Sequence, residues 1–346
     1  MTSRPLLHAD ADAFFASVAL RGRPDLVGVP VAVVAHVFVA SASYPARALG
    51  VTSGMLADEA LRRHPGLVLL DVPRAEVEEV GDALFDLFHE CARAVEPGSV
   101  EEAFLDVGTD DWDEAVEAGR TLRRRADHEL GIPVSVGVGR TKLMAKLASR
   151  AAKPDGLHVI SPQQETSLRS SLALADVWGV GATTRERLTH LGVEHLADLD
   201  TVPRAMLQQS CGTAMARRLW QIREGTDDAT VRTVEARSTL TAEGSTSGYG
   251  RADKSTGQVV DACVERVCHR AARAGLVATG LALALRSEGA RAATVLRRGG
   301  DATADPRTWR AVAHDLLGPD EAPTATTVRA TLTGLLPSDR VQPTLF

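Results

Sequence analysis

Leu6-Leu7-His8-Ala9-Asp10-Ala11-Asp12-Ala13-Phe14-Phe15-Ala16-Ser17-Val18 opens on an apolar strand start, meets two aspartates two residues apart, and runs into two phenylalanines. Residues two apart on a strand share a face, so Asp10 and Asp12 are expected to point at the same place. Carboxylates crowded in that way repel one another, and a divalent cation is the usual relief. Two readings stand for this stretch alone: a strand-end turn with solvated aspartates, or one wall of a cation site.

Working outward, Pro30 to Val34 reads as a second strand and Val37 to Ala42 as a third, joined by a very short connection at Ala35-His36. Residues 55–64 read as helical, ending at Pro65-Gly66, and Leu67 to Val72 as a buried strand. Pro73 opens a helix to about Arg93, with Val77, Val80, Leu84, Leu87, Phe88 and Cys91 at helical spacing. Val100 to Val107 reads as a strand, Trp112 to Leu130 as a helix and Val134 to Val138 as a strand. Lys142 to Ala152 is helical and Leu157 to Ile160 extended. Strands alternating with single helices over about 1–160 predict helices packed on a sheet. Short helices fill 165 to about 230, and Thr230 to Ser238 reads as a linker. A small α+β domain is expected beyond it: a strand, a helix near 256–274, strands at Leu281–Ser287 and Thr294–Arg298, a helix near 306–317 and a last strand near 325–334. Asp301 to Asp305 and Gly318 to Pro323 read as loops, and Pro337 onward as a loose tail.

At 346 residues, 44% hydrophobic and 24% charged, the chain has the composition of a globular protein of two to four domains. No apolar run reaches membrane-span length and no secretory pattern opens the chain, so a cytoplasmic location is expected. Cys91, Cys211, Cys263 and Cys268 form no CxxC pair, which argues against structural zinc and a disulfide framework. The net charge of -6 is unevenly spread: residues 237–346 hold 14 Lys and Arg against 11 Asp and Glu, the rest 25 against 34. A mildly basic C-terminal part beside an acidic N-terminal part suits a protein that grips phosphates with one region and does metal chemistry with the other.

A second acidic element is Ser99-Val100-Glu101-Glu102-Ala103-Phe104-Leu105-Asp106. Strand neighbours face opposite ways, so the adjacent glutamates fit either a solvated strand entry or a bulge or hairpin mouth from which both reach one cation. Together with the opening stretch, Ala42-Ser43-Tyr44-Pro45-Ala46-Arg47 and Ala152-Lys153-Pro154-Asp155-Gly156, it stands in the order and spacing of Y-family DNA polymerases, and most of the chain resembles the polymerase IV type. The resemblance implies an α/β and α+β multidomain fold, the right-hand polymerase. It would have a ferredoxin-like palm (1–20 and 67–164), small fingers (21–66) and a helical thumb (165–230) with a helix-hairpin-helix. A linker (231–240), an α+β little finger (241–335) and a clamp-binding tail (336–346) would follow.

By the same resemblance Asp10, Glu101 and Glu102 are the catalytic carboxylates holding two Mg²⁺ ions, with Mn²⁺ as the alternative metal and the Ala11 carbonyl as a minor ligand. Asp12 is expected to be structural. Aspartate is usual where this chain has Glu101, and a carboxylate displaced by an added methylene costs on the order of 100-fold in rate unless the backbone or the metal adjusts. Phe15 takes the place of the steric gate under the incoming sugar, while Phe14 is read as core, and both join Ser41, Tyr44, Arg47 and Lys153 in the implied nucleotide site. Tyr44 and Arg47, three apart, share a face on a helical turn. Pro45 replaces a usual glutamate but suits a first turn.

Trp178-Gly179-Val180-Gly181, followed by Leu188 and Leu191-Gly192-Val193, resembles a helix-hairpin-helix, whose Gly179, Val180 and Gly181 amides would approach a DNA phosphate. Arg286, Arg291, Arg297 and Arg298 are expected to follow the duplex backbone from strand faces. The ending Gln342-Pro343-Thr344-Leu345-Phe346 resembles the bacterial sliding-clamp-binding peptide, through Gln342, Leu345 and Phe346. The implied protein is a low-fidelity, template-directed DNA polymerase of damage tolerance. Its partners would be primer–template DNA, deoxynucleoside triphosphates and the clamp; it would bind no membrane and act as a monomer. The rival is a catalytically weakened paralogue serving as a clamp-bound adaptor in a mutagenesis complex. A third reading, another two-metal palm enzyme such as a nucleotide cyclase, leaves the hairpin and the tail unexplained.

Overall fold

The computed structural model describes residues 4–233, 238–250, 252–287, 289, 292–318 and 325–340. Along the chain run β1 (Leu6–Ala11), α1 (Phe14–Leu20), β2 (Val31–Ala35), β3 (Phe38–Ala42), α2 (Tyr44–Ala48), α3 (Ala57–Arg63), β4 (Val68–Asp71) and α4 (Arg74–Cys91). Next come β5 (Ala94–Pro97), β6 (Glu102–Asp106), α5 (Trp112–Arg125), β7 (Val134–Gly139), α6 (Lys142–Ala152) and β8 (Leu157–Val159). Four helices follow: α7 (Pro162–Ser171), α8 (Ala182–Thr189), α9 (Arg204–Cys211) and α10 (Thr213–Glu224). The last part holds β9 (Thr239–Ser245), α11 (Thr256–Arg273), β10 (Leu276–Arg286), β11 (Thr294–Thr303), α12 (Pro306–Leu317), β12 (Thr327–Thr333) and β13 (Leu336–Pro337).

Two compact units form, one from residues 1–12 and 82–234, the other from 13–81 and 235–346. In the first, a five-stranded sheet has the order β5-β6-β1-β7-β8, with β1 antiparallel to both neighbours. Strand alternation divides β1: Leu7 and Ala9 face one side, His8 and Asp10 the other. Helix α6 lies on the His8 side because β7 offers glycines there. A Cβ on Gly137 would stand 2.0 Å from the Ser149 nitrogen and 2.1 Å from the Ala145 carbonyl oxygen. The Thr141 hydroxyl caps α6 by accepting from the Met144 amide. Helices α7 to α10 share a core with Leu143, Met144 and Ala148 of α6, in which Leu174, Leu188, Val193, Leu196, Leu199 and Leu219 are also buried.

In the second unit β3, β2 and β4 make a small sheet, β2 antiparallel to β3 and parallel to β4. His36 adopts a positive φ of 56° in the tight turn between β2 and β3. A four-stranded antiparallel sheet of order β11-β10-β12-β9 packs one face on α11 and α12, around the fully buried Trp309. Ser255 opens α11 with a reciprocal capping box to Gln258.

Several sequence expectations need correction. A single strand over Val100–Val107 is replaced by the β5–β6 hairpin, with 98–101 as its connection. Strand β5 escapes sequence reading because Ala94-Val95-Glu96-Pro97 carries too little apolar pattern to stand out beside a long helix. That of 112–130 stops at Arg125 and finishes in a π turn, Ala126–Leu130. Asp301 to Thr303 is strand rather than loop, since β11 continues past an irregularity to pair Thr303 with Ala278. Leu336–Pro337 also pairs, with β10. Cys263 and Cys268 are buried as small apolar groups, whereas Cys91 and Cys211 are only half-buried. Part of the expected linker, Arg291, and Gln342, Leu345 and Phe346 lie outside the described residues.

Candidate active site

Backbone register alone brings the first two acids together. Asp10 on β1 stands opposite Glu102 on β6 and opposite Ser135 on β7. Among the described residues, ligand atoms of His8, Asp10 and Glu102 all fall within 4.8 Å of one another, close enough to share one cation. Each acid is answered by a lysine from α6 or just beyond it. Lys153 Nζ donates to Asp10 Oδ1 at 2.5 Å, and Lys146 Nζ donates to Glu102 Oε2. A carboxylate pair that recruits an ammonium to each member is a site built for positive charge.

His8 went unnoticed in the sequence, although its place two residues before Asp10 puts it on the same face. It is completely buried, against the Phe104 ring at 4.7 Å between centroids. The Ser149 hydroxyl donates to the Lys146 carbonyl at 2.9 Å and stands 2.7 Å from His8 Nδ1. On the other side of the ring Nε2 faces Glu102 Oε2 and Lys146 Nζ, each at 3.4 Å. Burial holds the His8 pKa below its usual value.

The His8 hydrogen bond, and then the Lys146 ammonium, hold the Glu102 carboxyl down to about 2. Because the folded pKa lies below the unfolded one, the stabilisation is present above the ordinary value near 4.5 and is lost as pH falls toward about 2. Melting temperature measured against pH without divalent ions is expected to fall more steeply through that window for the wild type than for Glu102→Gln.

Glu101 sits at the mouth of the β5–β6 hairpin, in the connection ahead of β6, and among the described residues the cluster of ligand atoms comprises His8, Asp10 and Glu102 without it. Its carbonyl accepts from the Ala11 amide at 3.0 Å, which ties the turn to the end of β1. Burial pushes the Glu101 carboxyl up, opposed by the Ser99 hydrogen bond and reinforced by the charges of Asp10 and Glu102. Asp12 is fully buried and accepts from the Ser135 hydroxyl at 2.8 Å and the Asp155 amide at 2.6 Å. Those bonds occupy it with holding the 153–156 turn, as expected of a structural residue.

In the second unit, Phe14 is buried while its neighbour Phe15 is half-buried, their ring centroids 5.9 Å apart on α1. Ser43 caps α2, Pro45 occupies its first turn, and the Arg47 guanidinium lies over the Tyr44 ring at 5.0 Å. Arg47 Nε donates to the Ala42 carbonyl at 2.9 Å. Ser41, buried at the end of β3, faces Val33 across the sheet. The four-stranded sheet sorts the expected arginines by strand parity. Arg297, opposite Ala282, and Arg286 belong to the face away from the helices, whereas Arg298, opposite the buried Leu281, is bound to Asp315 of α12 at 2.7 Å. Arg329 joins the open face, a member the sequence reading missed.

In the first unit, Gly179 takes a left-handed φ of 85°, and a Cβ there would meet Arg218 Nη1 at 2.3 Å. The Val180 amide donates to the Val177 carbonyl, closing the turn, and Gly181 caps α8 with open space where a Cβ would stand.

The impB/mucB/samB family model matches residues 9–150, the segment that carries these acids. The chain is 34% identical over 249 residues to DNA polymerase IV of Pseudomonas syringae pv. syringae (strain B728a), covering 70% of each. It is 38% identical over 250 residues to DNA polymerase IV of Alkalilimnicola ehrlichii (strain ATCC BAA-1101 / DSM 17681 / MLHE-1), again covering 70% of each. The chain belongs to the Y-family DNA polymerases of the polymerase IV type. Two solved structures share its fold. One, an insertion ternary complex of Dbh DNA polymerase, has a TM-score of 0.68 at 21% identity, covering 95% of this chain and 98% of that one. The other, DinB from Sulfolobus solfataricus, has a TM-score of 0.67 at 22% identity, covering 95% and 98%. As a Y-family member the protein is a DNA-directed DNA polymerase of the translesion type, and the adaptor reading is not favoured. Among the described residues no helix is long and apolar enough to cross a membrane.

Proposed function

We propose that this Y-family polymerase extends a primer by nucleotidyl transfer at Asp10, Glu101 and Glu102, with Mg²⁺ or Mn²⁺ as the resident metal. The observation that carries the reading is the in-register pair Asp10 and Glu102, each neutralised by a lysine. Hard oxygen donors in a sparse set, completed by substrate phosphates, suit magnesium. Two such ions would lower the pKa of a primer 3′-hydroxyl and balance charge on the transferred phosphoryl group.

The protein's own groups supply the rest. Asp10 and Glu102, with Glu101 beside them and the Ala11 carbonyl as a minor donor, fix where positive charge gathers. Lys153, once exchanged from Asp10, meets the triphosphate, as do Tyr44 and Arg47 beside Ser41. Phe15 lies under the incoming sugar, on a helix anchored by Phe14. Amides at Gly179 and Gly181 hold a DNA phosphate without reading sequence, on the turn that the Val180 amide closes. Arg286 and Arg297 follow the duplex backbone. We further propose a cytoplasmic monomer held to the bacterial sliding clamp by Gln342, Leu345 and Phe346.

A primer-extension assay on purified chain tests this directly, with Mg²⁺ and with Mn²⁺. Extension with either metal is expected; a folded preparation inert with both would refute the reading. Deleting the last five residues is expected to abolish clamp retention and leave clamp-free extension intact.

A further inference from the structure

Trp178 is the residue whose placement the proposed chemistry leaves unexplained. It stands on the hairpin between Val177 and Gly179, and 45% of it is exposed. Single exposed apolar groups are ordinary on protein surfaces. This one is held unusually firmly. Its ring meets that of Phe104 at 5.6 Å between centroids, and Phe104 shares a strand face with Glu102, two residues away. Lys146 Nζ and the Arg218 guanidinium lie 5.7 Å and 5.5 Å from the indole centroid, and Arg218 donates to the Trp178 carbonyl. An aromatic group fixed from several sides and still exposed is a preformed contact surface.

A cavity of about 400 Å³ opens onto it. Asp10 and Trp178 both line it, together with Leu143, Lys146, Lys153 and the Arg150–Asp176 ion pair. Apolar carbons, cationic groups and the Asp10 carboxylate make a wall suited to a sugar–phosphate unit.

On the reading that Asp10 serves primer extension, we propose that Trp178 is a primer-binding residue, its exposed indole packing against the last nucleotide of the primer strand. The rigid link through Phe104 to the Glu102 strand then fixes the primer end relative to the acids. Such a contact affects capture of the primer terminus and leaves capture of the incoming nucleotide unchanged.

The test uses the full chain with Trp178→Ala and Trp178→Phe. Binding of a fluorescently labelled duplex with a recessed 3′ end is measured by anisotropy, beside a blunt duplex of equal length. Steady-state KM values for primer–template and for nucleotide are measured separately. Trp178→Ala is expected to weaken recessed-end binding about ten-fold, the size of effect that loss of a base–aromatic contact produces. Its blunt-duplex affinity and nucleotide KM stay within about two-fold, and Trp178→Phe keeps most of the affinity. Intrinsic emission is expected to be quenched by the recessed-end duplex in the wild type and less so in Trp178→Phe. Unchanged recessed-end affinity in Trp178→Ala, an equal loss on blunt duplex, or a defect confined to nucleotide KM would overturn the proposal. Binding is read without turnover, so a wild type that failed to extend primers would refute the catalytic reading while the Trp178 contact was still decided by anisotropy.

Discussion

Asp10→Asn is expected to reduce primer extension on the order of 10³-fold or more, because a bound cation contributes several kcal/mol of transition-state stabilisation. Asparagine keeps the size and one oxygen of the side chain, and Asp10 lies partly exposed at the end of β1, so the fold should survive. Loss of the charge also frees Lys153, now bound to Asp10 at 2.5 Å. The ammonium would then stand unneutralised beside the cation position and oppose metal entry, adding to the loss of a ligand. Single-turnover rates with saturating primer–template and nucleotide, alongside a melting curve, separate this from a folding defect. A variant retaining a tenth of wild-type rate would remove Asp10 from the chemistry.

Phe15→Ala is expected to erode discrimination against ribonucleotides on the order of 100-fold, with little effect on deoxynucleotide use. A ring filling the space beside C2′ rejects a hydroxyl both sterically and by offering it no hydrogen-bond partner. The neighbouring residue provides the contrast. Phe14 is only 4% exposed, so Phe14→Ala is expected to cost about 3–5 kcal/mol of stability. Phe15 is half-buried, and its truncation should be felt in specificity before stability. The ratio of kcat/KM for paired ribo- and deoxynucleotides reads the outcome, and an unchanged ratio would deny Phe15 the role.

The ordered motifs that carry the family resemblance were enough to pair Asp10 with Glu102. The helix expected at Lys142–Ala152 has those bounds, and the opening strand and the acidic strand stand side by side as the motif order implied. Partners distant in sequence were not legible. Ser149 lies 141 residues from His8, and no local window couples a helix hydroxyl to a histidine on the first strand. Lys146 was invisible for the same reason, since only the packing of α6 on the glycines of β7 brings it to Glu102. Among the arginines, composition made Arg297 and Arg298 equivalent; strand parity separates them, sending one to the open face and the other to Asp315. Register, which a one-residue slip would invert, is what sequence reading lacked.

Anomalous scattering from Mn²⁺ provides the most direct test, in crystals grown with primer–template lacking a 3′-hydroxyl and the next nucleotide. Two peaks roughly 3.5–4 Å apart are expected beside Asp10, Glu101 and Glu102, with Lys153 and Lys146 withdrawn from the acids. A map with no peak there, and both lysines still bound to Asp10 and Glu102 while nucleotide and DNA are in place, would contradict the account.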